Sequence, residues 1–202
     1  MTDDLIRNLT YLEKEDNPFH VRCLDCRDFS ASMISMTGDR KVAARFNELR
    51  SSKGDHLIDR SPDNAIITPC HLTYPCTTSV VDGPLFLARV MEEKWDIFLM
   101  NGNLYFSRSW TGQLVFKTSI EFTPSEAIIT SIEANSRVAS LEPKFITAQV
   151  DFLIKSHILD QIVPHPLPPD LQDDLNSIAM YSFSQYGRRA YFATYDNTLT
   201  ST

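Results

Sequence analysis

Glycine is scarce, with 6 in 202 residues. Phosphate-binding backbone cradles are built from glycine turns at helix N-termini, so a chain this poor in glycine has few places to form one. The nucleotide-loop patterns G-x-x-x-x-G-K-[ST] and G-x-G-x-x-G are absent, as is the nucleophile-elbow pattern G-x-S-x-G. The five histidines, His20, His56, His71, His157 and His165, are scattered and none stands in an H-E-x-x-H pair. No apolar run approaches the ~20 residues needed to cross a bilayer. The first residues, Met1-Thr2-Asp3-Asp4, are acidic and carry no apolar h-region. Cysteine is limited to four residues, and without an export signal these are expected to be reduced thiols. The expectation is therefore a cytoplasmic chain with no membrane segment.

What is present is ordinary for a packed core. Hydrophobic residues make up 43% and charged residues 22%, with 12 Phe and 7 Tyr, too much aromatic surface for a disordered chain. Acids outnumber bases 26 to 19, a formal charge of −7. That balance repels phosphate backbones and disfavours nucleic acid as a partner.

The patterns predict one α+β domain over residues 1–202. Residues 1–63 form a helical N-terminal part, 64–195 a sheet with its packing helix, and 196–202 a frayed tail. Leu5, Ile6, Leu9 and Leu12 recur at helical spacing over 3–15, ended by Asn17-Pro18. Val42, Phe46 and Leu49 mark a second helix over 39–50. Residues 51–63 read as a polar loop, and 64–83 as short extended pieces broken by Pro69, Pro75 and Gly83.

A twisted antiparallel meander is expected from Leu85 to Glu133. Asn101-Gly102 is a strong hairpin signal, since both central residues of a type I′ turn need positive φ. As a two-residue turn it sets Trp95 opposite Arg108, Ile97 opposite Phe106 and Leu99 opposite Leu104. One face then reads Trp95, Ile97, Leu99, Leu104, Phe106, and the other, with Asp96, Phe98, Tyr105 and Ser107, is mixed. A loop over Trp110-Thr111-Gly112 carries the pattern into a third strand, with Phe116 opposite Phe106 and Leu114 opposite Arg108. A fourth strand is predicted over 127–133.

Residues 143–160 predict a long helix opened by Pro143, apolar around most of its circumference, with Lys144, Thr147, Asp151 and Lys155 on one narrow polar stripe. Such a helix is buried between layers or against a partner. The proline-rich run Pro164–Pro169 reads as an extended crossover. A final pair of strands is expected over 178–183 and 189–195, reversing at Tyr186-Gly187.

Three constellations are candidate sites. Cys23-x-x-Cys26 with Cys70 and Cys76 offers four thiolates for a tetrahedral zinc, although the second pair lacks knuckle spacing; separate buried thiols are the plainer reading. A redox C-x-x-C needs a thiolate at a helix N-terminus, and Asp25 and Asp28 oppose Arg22 and Arg27 there. In the second, Arg108 sits on an apolar face opposite Trp95, where a guanidinium stacked on indole still offers its fork to an anion. Tyr105 and Trp110 flank it, and an internal ion pair is the competing account. The third is the arginine pair Arg188-Arg189 beside Tyr186-Gly187, an anion-binding turn or a solvated one.

The runs Lys94-Trp95-Asp96-Ile97-Phe98 and Tyr105-Phe106-Ser107-Arg108-Ser109-Trp110-Thr111-Gly112 resemble a group of uncharacterised bacterial proteins with a Y-F-x-R-S-W-T-G signature. The segments 149–157 and 181–189 look similar to the same group. The resemblance implies a bacterial, cytoplasmic protein and brings no reaction, ligand or catalytic residue.

Three readings follow. The first is a non-catalytic binding domain that presents Trp95, Tyr105, Arg108, Trp110, Arg188 and Arg189 to an anionic group on a small ligand or partner protein. The second is a metal-assisted or phosphate-handling hydrolase, with Cys23, Cys26, Cys70 and Cys76 around zinc. The third is an assembly protein, a homo-oligomer that uses helix 143–160 as its interface.

Overall fold

The structure is a computed structural model and describes residues 9–139 and 142–199. It is mixed α+β. The ten strands are β1 (Thr10–Leu12), β2 (Cys23–Asp25), β3 (Ile66–Pro75), β4 (Gly83–Phe86), β5 (Trp95–Met100), β6 (Asn103–Arg108), β7 (Leu114–Phe122), β8 (Glu126–Ala134), β9 (His165–Pro166) and β10 (Phe192–Thr194). They fall into two compact units made of interleaved stretches of chain. One unit is drawn from Met1–Ser35, Glu92–Lys94 and Ala148–Thr202, the other from Met36–Met91 and Trp95–Thr147.

The second unit holds a six-stranded antiparallel sheet in the order β3-β8-β7-β6-β5-β4. The Asn101-Gly102 reversal is as the sequence dictates: both residues have positive φ, +50° and +69°, and Met100 pairs with Asn103. Trp95 then faces Arg108, Ile97 faces Phe106, and Leu99 faces Leu104. Phe116 lies opposite Phe106 as expected, but Leu114 pairs with Ser107, not Arg108. A bulge after Phe106 takes up the extra residue, because the loop closes one pair earlier. There the Arg108 N–H donates to the Gln113 carbonyl at 2.9 Å, and the Gly112 N–H to the Arg108 carbonyl at 2.7 Å.

The outer strands also obey the sheet's logic. The pieces expected over 64–83 include one ten-residue strand, β3, which runs through Pro69. Among the described residues β3 pairs with β8 alone and is an edge strand, where proline is tolerated, and the register shifts between Pro69 and Leu72.

The mixed face proved to be a second buried face. Asp96, Phe98, Tyr105 and Ser107 are each at most 2% exposed. The segment Gly54–Leu57, which follows the Asp39-capped helix Arg40–Leu49, lies on this face. Leu57, Phe98, Met100, Tyr105 and Leu114 form one apolar cluster, and His56 meets Phe98 edge-on. Arg50 makes a two-pronged bridge to Asp96, Nη1 to Oδ1 at 2.9 Å and Nη2 to Oδ2 at 2.6 Å. Its other N–H groups reach the carbonyls of Phe46, Ala88 and Ser109.

The first unit carries a four-stranded sheet, β1-β2-β10-β9, antiparallel except where β10 runs parallel to β9. Here the sequence misled twice. The helix expected over 3–15 is overturned in its described part: residues 10–12 are strand β1, and Lys14–Asp16 is a single 3-10 turn. The rest of that span, 3–8, lies outside the described residues. Pairing with β2 and the Tyr11 hydroxyl's bond to Asp173 at 2.9 Å hold this segment extended.

The strand expected over 178–183 is part of a helix, Leu175–Tyr186. Asp174 caps it through the Ser177 N–H, and Ile178, Ala179, Ser182, Phe183 and Tyr186 are its buried stripe. Of the partner strand, β10 alone is extended. The expected long helix is Pro143–Leu153 followed by a π turn, Ile154–Ile158. Its apolar positions Phe145, Ile146, Val150, Phe152, Leu153 and Ile154 are all buried within the single chain. Ile158, in the π turn, is part-buried, and Leu159 just past it is exposed. The tail is tied at Asp196, which accepts from the Arg22 N–H and pairs with Lys14. Residues 200–202 lie outside the described residues.

Two stability predictions follow from these contacts. Arg50→Ala leaves the Asp96 carboxylate buried without its cation and is expected to cost about 3–5 kcal/mol. The double change Arg50→Met/Asp96→Asn should cost clearly less, as read by urea unfolding. Gly187 has φ +60°, and a Cβ there would lie 1.7 Å from the Glu92 carbonyl oxygen. Gly187→Ala is expected to lose at least about 2 kcal/mol in the same assay.

Candidate functional site

A concave site forms in the first unit, at a place the sequence did not single out. It is a pocket of about 290 Å³ lined by Pro18, Phe19, His20, Val21, Asp151, Phe152, Lys155, Val163, Pro164, Asn197 and Thr198. Its walls are mainly apolar and its charged groups are Asp151 and Lys155.

Each wall has a local cause. Asn17 is buried and its side chain fastens the loop before Val21: Nδ2 donates to the carbonyls of Glu13 and Val21 at 2.6 and 2.8 Å, and Oδ1 accepts from the Phe19 N–H at 2.9 Å. This brace holds His20 at φ +55°, a conformation uncommon for a residue with a side chain. Phe152 is fixed by an edge-on contact with the Tyr186 ring at 4.7 Å and a tilted one with the His165 ring at 5.6 Å. Gln149 Nε2 donates to the Tyr186 hydroxyl at 3.1 Å and locks that ring. The tail supplies Asn197 and Thr198, and the Thr198 Oγ1 meets no hydrogen-bonding partner among the described residues.

Lys155 reaches the pocket from the π turn, where the Leu159 N–H bonds back to the Ile154 carbonyl at 3.0 Å. Such wide turns recur where a helix carries a functional side chain. The Lys155 Nζ lies 2.8 Å from Asp151 Oδ2, and the two side chains are unequally buried: 26% of Lys155 is exposed against 6% of Asp151. The carboxylate is the inner member, and the ammonium is the one that solvent or a ligand meets. Asp151 is the one described hydrogen-bond acceptor of the ammonium, so two of its three donors stay available.

The anion-site residues expected from the sequence are placed differently. Trp95 and Tyr105 are each 2% exposed and have no surface to present. Trp95 stacks on Phe116 at 5.9 Å, and Tyr105 belongs to the Leu57 cluster. Arg108 is half-buried with its guanidinium 4.8 Å above the Trp95 ring. The Trp110 indole N–H donates to the Met91 carbonyl at 2.7 Å. In the first unit, Arg189 pairs with Asp160, and Arg188 is exposed, its backbone N–H bonded to the Glu92 carbonyl. The first two of these residues are packing residues.

The zinc reading fails on strand geometry. Cys70 lies within β3 and Cys76 just past its end; at ~3.3 Å per residue they stand about 15–20 Å apart, too far to share one ion. Among the described residues no three His, Cys, Asp or Glu side chains are grouped for a metal. Cys23 and Cys26 are fully buried thiols. Cys26 precedes the short helix Arg27–Ser32, yet burial pushes its pKa up to about 12, and that of Cys23 up to about 11. Burial thus works against the thiolate that a redox C-x-x-C needs. Burial raises Cys70 to about 11.

A second concavity, lined by Arg50, Pro84, Leu85, Leu87, Ala88 and Arg89, differs from the first in one respect. All five N–H groups of Arg50 are engaged by Phe46, Ala88, Asp96 and Ser109. Its cation has no donor left for a ligand.

Two buried histidines, His157 and His165, meet the Phe152 ring, and burial lowers the pKa of each to about 3. His165 Nδ1 donates to the Phe192 carbonyl, and burial favours the neutral ring. Because these folded-state values lie below the ordinary ~6.5, the unfolded chain takes up protons first as the pH falls. Their share of the stability is present above about pH 6.5 and is lost between there and about pH 3, by ~1.4 kcal/mol per pH unit for each ring. His157→Gln and His165→Asn should each flatten the pH dependence of the urea midpoint in that window. An unchanged slope in both variants would show that the rings titrate normally.

No protein-family model, curated protein or solved structure matches the chain.

Proposed function

We propose that this chain is a non-catalytic binding protein that takes a small ligand in the pocket of its first unit. The observation that carries this reading is the pairing of apolar walls with one ammonium whose donors are only partly used. Pockets that bind small molecules have this composition, mostly apolar lining with a few placed polar groups that orient the ligand. The walls are braced beforehand by Asn17 and by the Phe152, Tyr186 and His165 rings, which lowers the ordering cost of binding. The anionic group anticipated for the ligand is met, in this reading, by Lys155. A bacterial cytoplasm is the setting that belongs with it, and it suits four cysteines that are all thiols. No helix among the described residues is long and apolar enough to cross a membrane.

The test is methyl NMR on the whole chain with a set of single-ring and short acyl compounds, charged and uncharged. Saturable shifts are expected at Val21 and Val163, and Val163→Trp, which fills the pocket, should remove the shift at Val21 at an unchanged melting temperature. The exposed-site control Val81→Trp should leave both shifts intact. Shifts scattered over the surface, or shifts that survive Val163→Trp, would refute the pocket as a binding site.

A further inference from the structure

The geometry points to a ligand class: a monocarboxylate bearing one ring or a short acyl chain, its carboxylate on Lys155 and its apolar body against Phe19, Val21, Phe152 and Val163. This inference rests on the reading of the pocket as a binding site and adds what the pocket selects.

Size sets the first limit. A volume of about 290 Å³ lies at the lower end of the ~300–1,000 Å³ typical of ligand pockets. One ring or a short chain fits, whereas a nucleotide or a multi-ring cofactor does not. The walls set the second. The six residues Pro18, Phe19, Val21, Phe152, Val163 and Pro164 offer no side-chain hydrogen bond, so the body of the ligand gains most by being apolar.

Charge decides the rest. An uncharged apolar ligand would strip water from the two remaining donors of Lys155 and return nothing, which is costly for a charged group. A ligand amine would meet the ammonium as a like charge, since Asp151 lies behind it with 6% exposure. A carboxylate accepts both donors and forms charge-assisted bonds. Asp151 also limits how much negative charge enters. The Asp151–Lys155 pair is formally neutral, so a monoanion leaves the site at −1, while a phosphate dianion would leave it at −2 between apolar walls. The same carboxylate holds the ammonium in place before the ligand arrives, through a bond of 2.8 Å.

Calorimetry on the whole chain tests the class with benzoate and hexanoate against benzyl alcohol, benzylamine and phenyl phosphate. Benzoate and hexanoate are expected to bind at one site per chain, at least tenfold tighter than the other three. Lys155→Met should bring benzoate down to the level of benzyl alcohol, a loss of about ten- to a hundredfold. Lys155→Arg should keep most of the preference, and Lys144→Met, at an exposed position of the same helix, should change nothing. Because Lys155→Met takes this cation from the inner carboxylate, Asp151→Asn/Lys155→Met is the companion variant; it removes both charges and should likewise lose the preference. If benzyl alcohol or phenyl phosphate binds as tightly as benzoate and Val163→Trp abolishes every signal, the pocket stands and the carboxylate class falls. If Val163→Trp affects none of the probes, the pocket itself falls.

Discussion

The Asp96 carboxylate has no route to water, and the second unit is organised around that fact. A strand covered on both faces must find a partner inside for every polar group it carries, because an unpaired buried charge costs several kcal/mol. Arg50 supplies the partner in the planar, two-pronged form that suits a carboxylate. It also ties the Asp96 strand to the carbonyls of Phe46, Ala88 and Ser109. One side chain thus fixes the helix before it, the segment ahead of β5 and the end of the β6 hairpin. The Ala88 N–H adds a second donor to Asp96 at 2.9 Å.

The same rule produces the opposite outcome in the first unit. Asp151 is buried like Asp96, but its cation is a lysine on a π turn and not an arginine. An arginine's five donors can be spent on neighbours until none remains, which makes a structural joint. An ammonium that gives one of three donors to its carboxylate keeps two for something else. Both cations help line a concavity, and only Lys155 retains hydrogen-bonding capacity. The difference between a brace and a recognition group is the number of donors left over.

Parts of this were legible in the amino-acid order, and the parts that were not share a cause. The Asn101-Gly102 reversal requires two left-handed residues in succession, and few sequences offer them, so the register from Trp95 to Arg108 could be written down from the sequence. The mixed face of that hairpin was misjudged because its cover is a polar loop in which Leu57 is the main apolar signal. Ile178–Phe183 alternates well enough to pass as a strand; the Asp174 cap and the Tyr186 at the end of the stripe mark it as a helix once read over twelve residues. The pocket was missed for a different reason. Asp151 and Lys155 stand four apart on the narrow polar stripe of a helix, and nothing local says that Pro18–Val21 and Val163-Pro164 lie beside them. The usable signal was a polar pair on a helix otherwise too apolar to face water.

The sequence by itself determined the Asn101-Gly102 reversal, the register of β5 on β6 and the mixed α+β class. These rest on backbone sterics and short-range periodicity, which act over a few residues. Tertiary structure alone decided which polar groups are buried, which cations are saturated, and how distant stretches close round a cavity. Those outcomes depend on desolvation and on partners far apart along the chain, and a local pattern carries no record of either.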